Sequence, residues 1–219
     1  MKPGAFSVLL GAFLALGGTA TRGFAQASSL AVFGGVTLPM SGAELNPEVA
    51  YSDLYKMGIT LGGQYRYLIL SHFSLVGEFS RTKLTADADN LKKLANVGNL
   101  EVMGGDLTRL RFSGGVAYET NKGDKPNIYV KALMSMYRSS PGKVTLIAPE
   151  TGETFTQEFL TISDVGFTLG LGVEIPVKPT MAVYAGADLD LIRDSDLFDP
   201  DIALGIKELT AKGGLVFYF

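Results

Sequence analysis

The sequence has 219 residues and a nearly balanced charge, with 19 Lys and Arg against 22 Asp and Glu, and it contains no Cys. The absence of Cys excludes disulfides, thiolate chemistry, Cys-built zinc sites and lipoprotein-type acylation, and the net charge of −3 does not suggest a nucleic-acid partner. A positive mean hydropathy of +0.23 together with 27 Gly is unusual for a soluble enzyme, but it suits strands that face lipid on one side and a crowded interior on the other.

The first 27 residues are predicted to be a secretory signal peptide. Lys2 precedes an apolar run of twelve residues, which is too short to cross a bilayer as a helix because that needs about 20 residues. A small-x-small pattern predicts cleavage after Ala27, with cleavage after Ala20 as the alternative. Losing Lys2 and Arg22 lowers the basic residues from 19 to 17 against 22 acids, so residues 28–219 carry a net charge of −5 and suit a single domain.

After residue 27, apolar side chains alternate with polar or small ones at a period of two, which predicts β-strands with one apolar face. The clearest case is 165–175, where Val165, Phe167 and Leu169 begin a run of apolar residues interleaved with Gly, Thr and Glu. Eight strands are predicted, over residues 29–38, 55–68, 73–83, 107–119, 127–139, 165–175, 181–192 and 205–219.

The connections between these strands are alternately long and short. The long ones are 39–54, 84–106, 140–161 and 193–204, and the short ones are 69–72, 121–126 and 176–180. Within the long ones, a capped helix is predicted over 87–95 and a hairpin over 144–159. Such alternation predicts an up-and-down arrangement in which all the long connections lie at one end.

The last eight residues contain a polar residue, a Gly and two aromatics in a fixed spacing. Lys212, Gly214, Phe217 and Phe219 occupy these four positions. This pattern resembles the assembly signal in the terminal strand of bacterial outer-membrane β-barrels, and the resemblance implies insertion by the outer-membrane assembly machinery.

With this motif and its eight strands, the segment 28–219 resembles the OmpA/OmpX-type family of eight-stranded outer-membrane barrels. The resemblance implies an all-β fold, namely an eight-stranded antiparallel up-and-down transmembrane β-barrel in the bacterial outer membrane, with short periplasmic turns and longer external loops. It also implies contact with outer-membrane lipids and lipopolysaccharide, and an envelope or surface-interaction role in which the loops meet an extracellular ligand.

Alternation alone also fits a lipocalin-like soluble barrel, which has its apolar face inside. The terminal motif favours the membrane form, and so does an aromatic girdle on the apolar face near the short turns. The girdle residues are Tyr65, Tyr67, Phe73, Tyr118, Phe217 and Phe219.

The polar faces of the strands carry five cations and five carboxylates. They are Arg66, Arg109, Arg111, Lys131 and Lys212 against Glu78, Glu119, Glu174, Asp188 and Asp190. Because unpaired charges are costly in a narrow interior, this balance predicts an ion-pair network that plugs the barrel. A small gated channel is the alternative; a wide porin needs about 16 strands.

No catalytic, cofactor or metal site is predicted. Small outer-membrane barrels that modify lipid A use a Ser or His near the outer leaflet, but His72 falls in a short periplasmic turn, and Ser139 and Ser140 have no His partner. A lipid-modifying enzyme is therefore the weaker alternative. The acidic residues Asp194, Asp196, Asp199 and Asp201 lack EF-hand spacing and fit a solvated loop better than a Ca²⁺ site.

Overall fold

A computed structural model describes residues 28–41, 44–46, 49–95, 100–121, 125–193 and 205–219. The predicted signal peptide and most of the predicted connection 193–204 lie outside the described residues. The strands are β1 (Ser28–Ser41), β2 (Glu44–Asn46), β3 (Val49–Ala50), β4 (Tyr55–Leu70), β5 (Phe73–Ala86), β6 (Glu101–Gly104), β7 (Leu107–Glu119), β8 (Asn127–Pro141), β9 (Val144–Ile147), β10 (Thr154–Gln157), β11 (Ile162–Lys178), β12 (Met181–Arg193) and β13 (Ile206–Tyr218). The helices are α1 (Tyr51–Leu54) and α2 (Ala88–Ala95).

The eight long strands close into one antiparallel barrel in the order β1-β13-β12-β11-β8-β7-β5-β4. Each of them pairs with its neighbours in the chain, and the first pairs with the last, as an up-and-down barrel requires. The two ends of the chain segment meet, since the Ser28 amide donates to the Phe219 carbonyl over 3.1 Å. The predicted eight-stranded up-and-down barrel is confirmed.

The barrel is apolar outside and polar inside. In β8, every second side chain is buried, so that Leu133 is 2% exposed and its neighbour Met134 is 70% exposed. Large apolar side chains such as Leu61, Phe112 and Leu171 lie on the outer surface, where water would be an unfavourable neighbour. This orientation is that of a membrane barrel and is the reverse of a lipocalin-like cup.

Several strands extend further than the alternation predicted. The first was expected to end at Pro39 and the sixth at Pro176, but β1 continues to Ser41 and β11 to Lys178. Both extensions include a register shift directly after the proline. A bulge tolerates a residue without an N–H, which is why neither proline stops its strand.

The described parts of the first three long connections lie together at one end, called here the long-loop end, and the turns at residues 71–72 and 179–180 lie at the opposite, short-turn end. At the long-loop end β10, β9 and β6 form a separate three-stranded sheet, which confirms the predicted hairpin. The predicted helix is also present as α2, and the Asp87 carboxylate accepts the Asp89 amide at 3.1 Å as its N-terminal cap. Neither described helix is long and apolar enough to cross a membrane.

Candidate functional site: the barrel interior

The structure places all ten of the predicted interior residues inside the barrel, each of them 5% exposed or less. They are Arg66, Glu78, Arg109, Arg111, Glu119, Lys131, Glu174, Asp188, Asp190 and Lys212. The period of two explains this placement, because each one alternates with outward-facing neighbours on its strand. The charges are arranged in three groups along the barrel axis.

The central group joins two carboxylates to three cations. Asp188 Oδ2 lies 2.6 Å from Lys212 Nζ, 3.1 Å from Lys131 Nζ and 3.2 Å from Arg111 Nη2. The Glu78 carboxylate pairs with the same three cations, and its oxygens lie 3.1 Å and 3.2 Å from Lys212 Nζ. Five different strands therefore contribute one charge each, so the group ties the barrel wall together across its bore.

The second group lies toward the long-loop end. Arg111 also donates to both oxygens of Asp190, at 2.6 Å and 2.8 Å, and the Tyr137 hydroxyl donates to the same carboxylate at 2.9 Å. Arg109 forms an ion pair with Glu208. Arg111 therefore links the central group to Asp190 and Tyr137 at this end.

The third group lies toward the short-turn end. Arg66 pairs with Glu174, and its Nη1 lies 3.6 Å from Glu119 Oε1. Asn127 donates its amide to Glu174 at 3.1 Å and to Glu119 at 3.4 Å, and the Tyr218 hydroxyl donates to Glu174 at 3.0 Å. Neutral donors thus supplement the single cation, which faces two carboxylates.

Hydroxyl groups fill much of the remaining space. Thr210, Thr37, Thr60 and Thr82 link their hydroxyls in a row across four strands, with Oγ1 to Oγ1 distances of 2.9, 2.6 and 2.7 Å. A small cavity lies beside this row. The volume within which the centre of a water molecule fits is about 10 Å³, which is about what a single water molecule needs. It is lined by Thr60, Ser80, Thr82, Arg109, Arg111, Tyr137, Asp190, Glu208 and Thr210.

Two interior carboxylates are missing from the sequence prediction. Asp164 and Glu208 are both buried inside the barrel, so the described interior contains five cations and seven carboxylates. The even balance predicted from sequence is therefore wrong by two negative charges. Both residues could have been found by continuing the alternation four residues back, from Thr168 to Asp164 and from Lys212 to Glu208. The predicted sixth strand began at 165 and so left Asp164 out, whereas Glu208 lies within the predicted last strand, 205–219, whose two faces were assigned only over its final eight residues.

The four residues of the terminal motif lie on β13 and at its end. Phe217 and Phe219 face outward, whereas Lys212 faces inward with its Nζ 4.3 Å from the centre of the Phe33 ring. A Cβ on Gly214 would lie 2.9 Å from Phe33 Cα and 3.0 Å from Tyr184 Cε1, so the side-chain-free residue is needed where β13 meets β1. The motif thus combines an outer apolar face with a tightly packed inner face.

An aromatic band surrounds the short-turn end. Phe73 and Tyr118 contact each other with ring centres 5.4 Å apart, and Tyr67, Phe217 and Phe219 are exposed nearby on the outer face. The remaining member of the predicted girdle, Tyr65, is half-buried, and its hydroxyl donates to Ser28 at 3.1 Å.

The residues considered for catalysis are not brought together. His72 lies at the short-turn end with its Nδ1 2.9 Å from the Glu119 carbonyl, and its ring contacts Tyr118. Ser139 lies toward the opposite end, where its hydroxyl accepts from Arg109 Nε at 2.9 Å. Among the described residues, no group of three or more His, Cys, Asp or Glu is placed to hold a metal ion. The acidic positions 194, 196, 199 and 201 lie outside the described residues.

In the part of the chain that the structure describes, three ion pairs lie outside the barrel interior, at the long-loop end. Lys143 pairs with Glu158 at 2.5 Å, and Lys56 Nζ lies 3.4 Å from Asp87 Oδ2. Lys83 Nζ lies 2.9 Å from Asp106 Oδ2, and its hydrogen bond, with that from the Ala86 amide, holds the pKa of Asp106 below its ordinary value. The lysine of each pair is exposed, and such surface pairs contribute little each.

Comparison with solved structures supports the fold. Neisserial surface protein A matches with a TM-score of 0.53 and 13% identity over 89% of this chain and 99% of its own. A major outer membrane protein from Thermus thermophilus matches with a TM-score of 0.50 and 12% identity over 88% of this chain and 100% of its own. Neither the protein-family models nor the curated proteins gave a match to the sequence. The chain has the fold of the OmpA/OmpX-type eight-stranded outer-membrane β-barrels, as its sequence predicted.

Proposed function

We propose that this protein is a bacterial outer-membrane barrel with a plugged interior, which displays its long-loop end to the outside and has a structural or surface-interaction role in the envelope. The proposal includes export with removal of the signal peptide after Ala27 and insertion by the outer-membrane assembly machinery. The observation that carries it is the inside-out distribution of polarity, with charges buried in the bore and large apolar side chains on the surface.

Membrane insertion follows from the two faces of the wall. A bilayer supplies no hydrogen-bond partner for a free N–H or C=O, and the closed ladder of eight strands leaves no open edge. Short turns at the periplasmic side and long connections outside are the common arrangement in such barrels. The aromatic band supports a membrane interface at the short-turn end, because aromatic rings are enriched at membrane interfaces.

The contacts across the bore support the proposed plug. Ion pairs join β4 to β11 through Arg66 and Glu174, and β5 to β13 through Glu78 and Lys212. Opening a path for solutes would require several of these buried pairs to separate at once. An eight-stranded barrel is narrow enough for side chains to fill it, and these contacts support that reading of the interior.

The surface role is assigned to the segments that project beyond the barrel. The small sheet of β6, β9 and β10 and the residues after it expose Met103, Phe155 and Leu160, although the residues around them are largely polar. Exposed apolar side chains on a projecting sheet are typical of surfaces that contact other molecules. We therefore place the contact with an extracellular ligand at this end.

A small gated channel is the second candidate. The excess of two carboxylates in the interior favours it, since a negative bore attracts cations.

Membrane fractionation followed by gel electrophoresis tests the class of protein. The protein should be found in the outer-membrane fraction, and unboiled samples should migrate differently from boiled ones because a closed barrel resists detergent. Recovery of the chain from a detergent-free periplasmic extract would contradict the membrane assignment.

Planar-bilayer recording tests the plug. The purified barrel should give no large, stable conductance steps, and such steps would replace the plugged barrel by the channel. Mass spectrometry of lipid A from cells with and without the protein addresses the lipid-modifying alternative, for which we expect identical spectra.

A further inference from the structure

Exposed charges on the barrel strands are sorted by sign. All seven carboxylates in the eight barrel strands face the interior, namely Glu78, Glu119, Asp164, Glu174, Asp188, Asp190 and Glu208. The exposed charges of the same strands are all cations. Six of these seven cations lie toward the long-loop end: Lys56, Arg81, Lys83, Arg138, Arg193 and Lys207. The seventh, Lys178, lies at the short-turn end.

These six cations toward the long-loop end form a cationic belt, and two of its arginines lie close together on three neighbouring strands. Strand register places Arg81 of β5 beside Leu110 of β7, and Leu110 beside Arg138 of β8. Strands lie about 4.8 Å apart, so the two arginine backbones are about 10 Å apart, with only the half-buried leucine between them. Two extended arginine side chains can reach a common anion from that distance.

An apolar platform lies directly below the two arginines. Phe79, Phe112 and Met136 lie side by side on the same three strands, two positions closer to the middle of the barrel than Arg81, Leu110 and Arg138, and all three are exposed. The rings of Phe79 and Phe112 pack with their centres 4.9 Å apart. Guanidinium groups above a broad apolar surface match a molecule with a phosphate head and several acyl chains.

The nearby cations differ in whether they are already paired. Lys83 lies two residues after Arg81 on β5, closer to the long-loop end, and it pairs with Asp106. Lys56 pairs with Asp87. Within the described parts of the chain, no carboxylate forms a salt bridge with Arg81 or Arg138. These two arginines therefore have charge available for an external anion.

We propose that Arg81 and Arg138, above the platform of Phe79, Phe112 and Met136, form a binding site for a phosphorylated, multiply acylated glycolipid of the outer leaflet, with lipid A as the chemical type. The site rests on the proposed function, because it requires the barrel to lie in the outer membrane with its long-loop end outward. Arg suits this role because its planar fork binds phosphate oxygens in pairs. The absence of exposed cations over most of the opposite half of the described wall agrees with a lipid of one leaflet.

The test measures binding of bisphosphorylated lipid A to the folded full-length barrel in detergent, by native mass spectrometry over a lipid titration. Basic residues near an anionic lipid surface each contribute about a fivefold gain in affinity, so Arg81→Gln with Arg138→Gln should weaken binding roughly 20- to 30-fold. The pair Arg81→Lys with Arg138→Lys keeps both charges but loses the paired hydrogen bonds, so it should weaken binding less than the double Gln variant does. Lys143→Gln is the matched control, because it removes a cation at the same end but in an exposed position off the barrel wall.

Two further lipids distinguish the outcomes. Dephosphorylated lipid A should bind as weakly as the double Gln variant does, and phosphatidylglycerol should bind more weakly than lipid A because it has two acyl chains and a single phosphate. The proposal would be overturned if the wild-type barrel bound dephosphorylated lipid A or phosphatidylglycerol as tightly as it binds bisphosphorylated lipid A. It would also be overturned if the double Gln variant bound lipid A as tightly as the wild type does. If the double variant does not fold, the single Gln variants should each show about a fivefold loss.

The gel-migration readout separates the two proposals. A chain that gives no heat-modifiable band contradicts the outer-membrane barrel itself. A chain that folds and inserts but does not discriminate between these lipids contradicts only the glycolipid site.

Discussion

The carboxylate of Glu78 is the strongest single test of the plugged interior. It contacts Arg111, Lys131 and Lys212, and its side chain is fully buried. Glu78→Gln preserves the shape but leaves these three cations with Asp188 and Asp190, so one buried positive charge lacks compensation. Removing one partner of a buried ion pair typically costs about 3–5 kcal/mol. Because Gln can still accept one hydrogen bond, we expect the free energy of unfolding to fall by about 3 kcal/mol.

The measurement is equilibrium urea unfolding of the barrel in lipid vesicles, with the folded fraction read from unboiled gel migration. Glu78→Gln combined with Lys131→Met restores equal numbers of positive and negative charges in this group. The double variant should therefore recover at least half of the lost stability, since coupled neighbours are not additive. A loss below about 1 kcal/mol for Glu78→Gln, or a double variant less stable than the single one, would refute the argument that paired charges hold the bore closed.

Three other perturbations test the wall, the packing and the rim. Leu169→Arg places a charge on the lipid-facing surface and should lower the free energy of unfolding by roughly 2–4 kcal/mol in the same urea assay, whereas Glu150→Arg in an exposed turn should change it little; equal tolerance would contradict the outward assignment. Gly172→Ala would place a Cβ 2.6 Å from a buried tyrosine hydroxyl, so we expect a loss of about 1–3 kcal/mol, and a neutral result would contradict the close packing. Because the pKa of Asp106 is lowered in the folded protein, its pairing with Lys83 stabilises the fold above about pH 4, and this stabilisation is lost as the pH falls through the lowered pKa. The urea midpoint of the Asp106→Asn variant should therefore fall less between about pH 7 and about pH 3 than that of the wild type.

The strands and their faces were predictable because a pleated strand repeats every two residues. One alternating run is enough to assign Leu169 to the outside and Thr168 to the inside, whatever the partner strand is. Strand ends were less predictable, since the chain passes Pro39 and Pro176 through local register shifts that the pattern does not show.

The pairing of interior charges could not be predicted from the pattern. Arg66 and Glu174 are 108 residues apart, and they meet across the bore only because closure of the barrel brings β4 opposite β11. Which carboxylate faces which cation depends on the stagger between strands, and that is set jointly by all eight pairings. The position of the exposed cations toward one end could be read from the sequence once the faces of the strands were assigned. That Arg81 and Arg138 are close together could not, because it depends on the register that places them on either side of one leucine.

Lys212 belongs both to the terminal motif and to the central charge group, and this double membership bears on how the barrel is completed. Until β13 docks between β12 and β1, the three carboxylates of Glu78, Asp188 and Asp190 face only the two cations Arg111 and Lys131, and the wall is open at that position. A polypeptide that stalls before its final strand would therefore keep an unneutralised acidic centre exposed to its surroundings, and would gain little from entering hydrocarbon. The charges at the centre of the bore are thus balanced only in the complete barrel. A chain that lacks its last strand is therefore less favoured to enter the membrane.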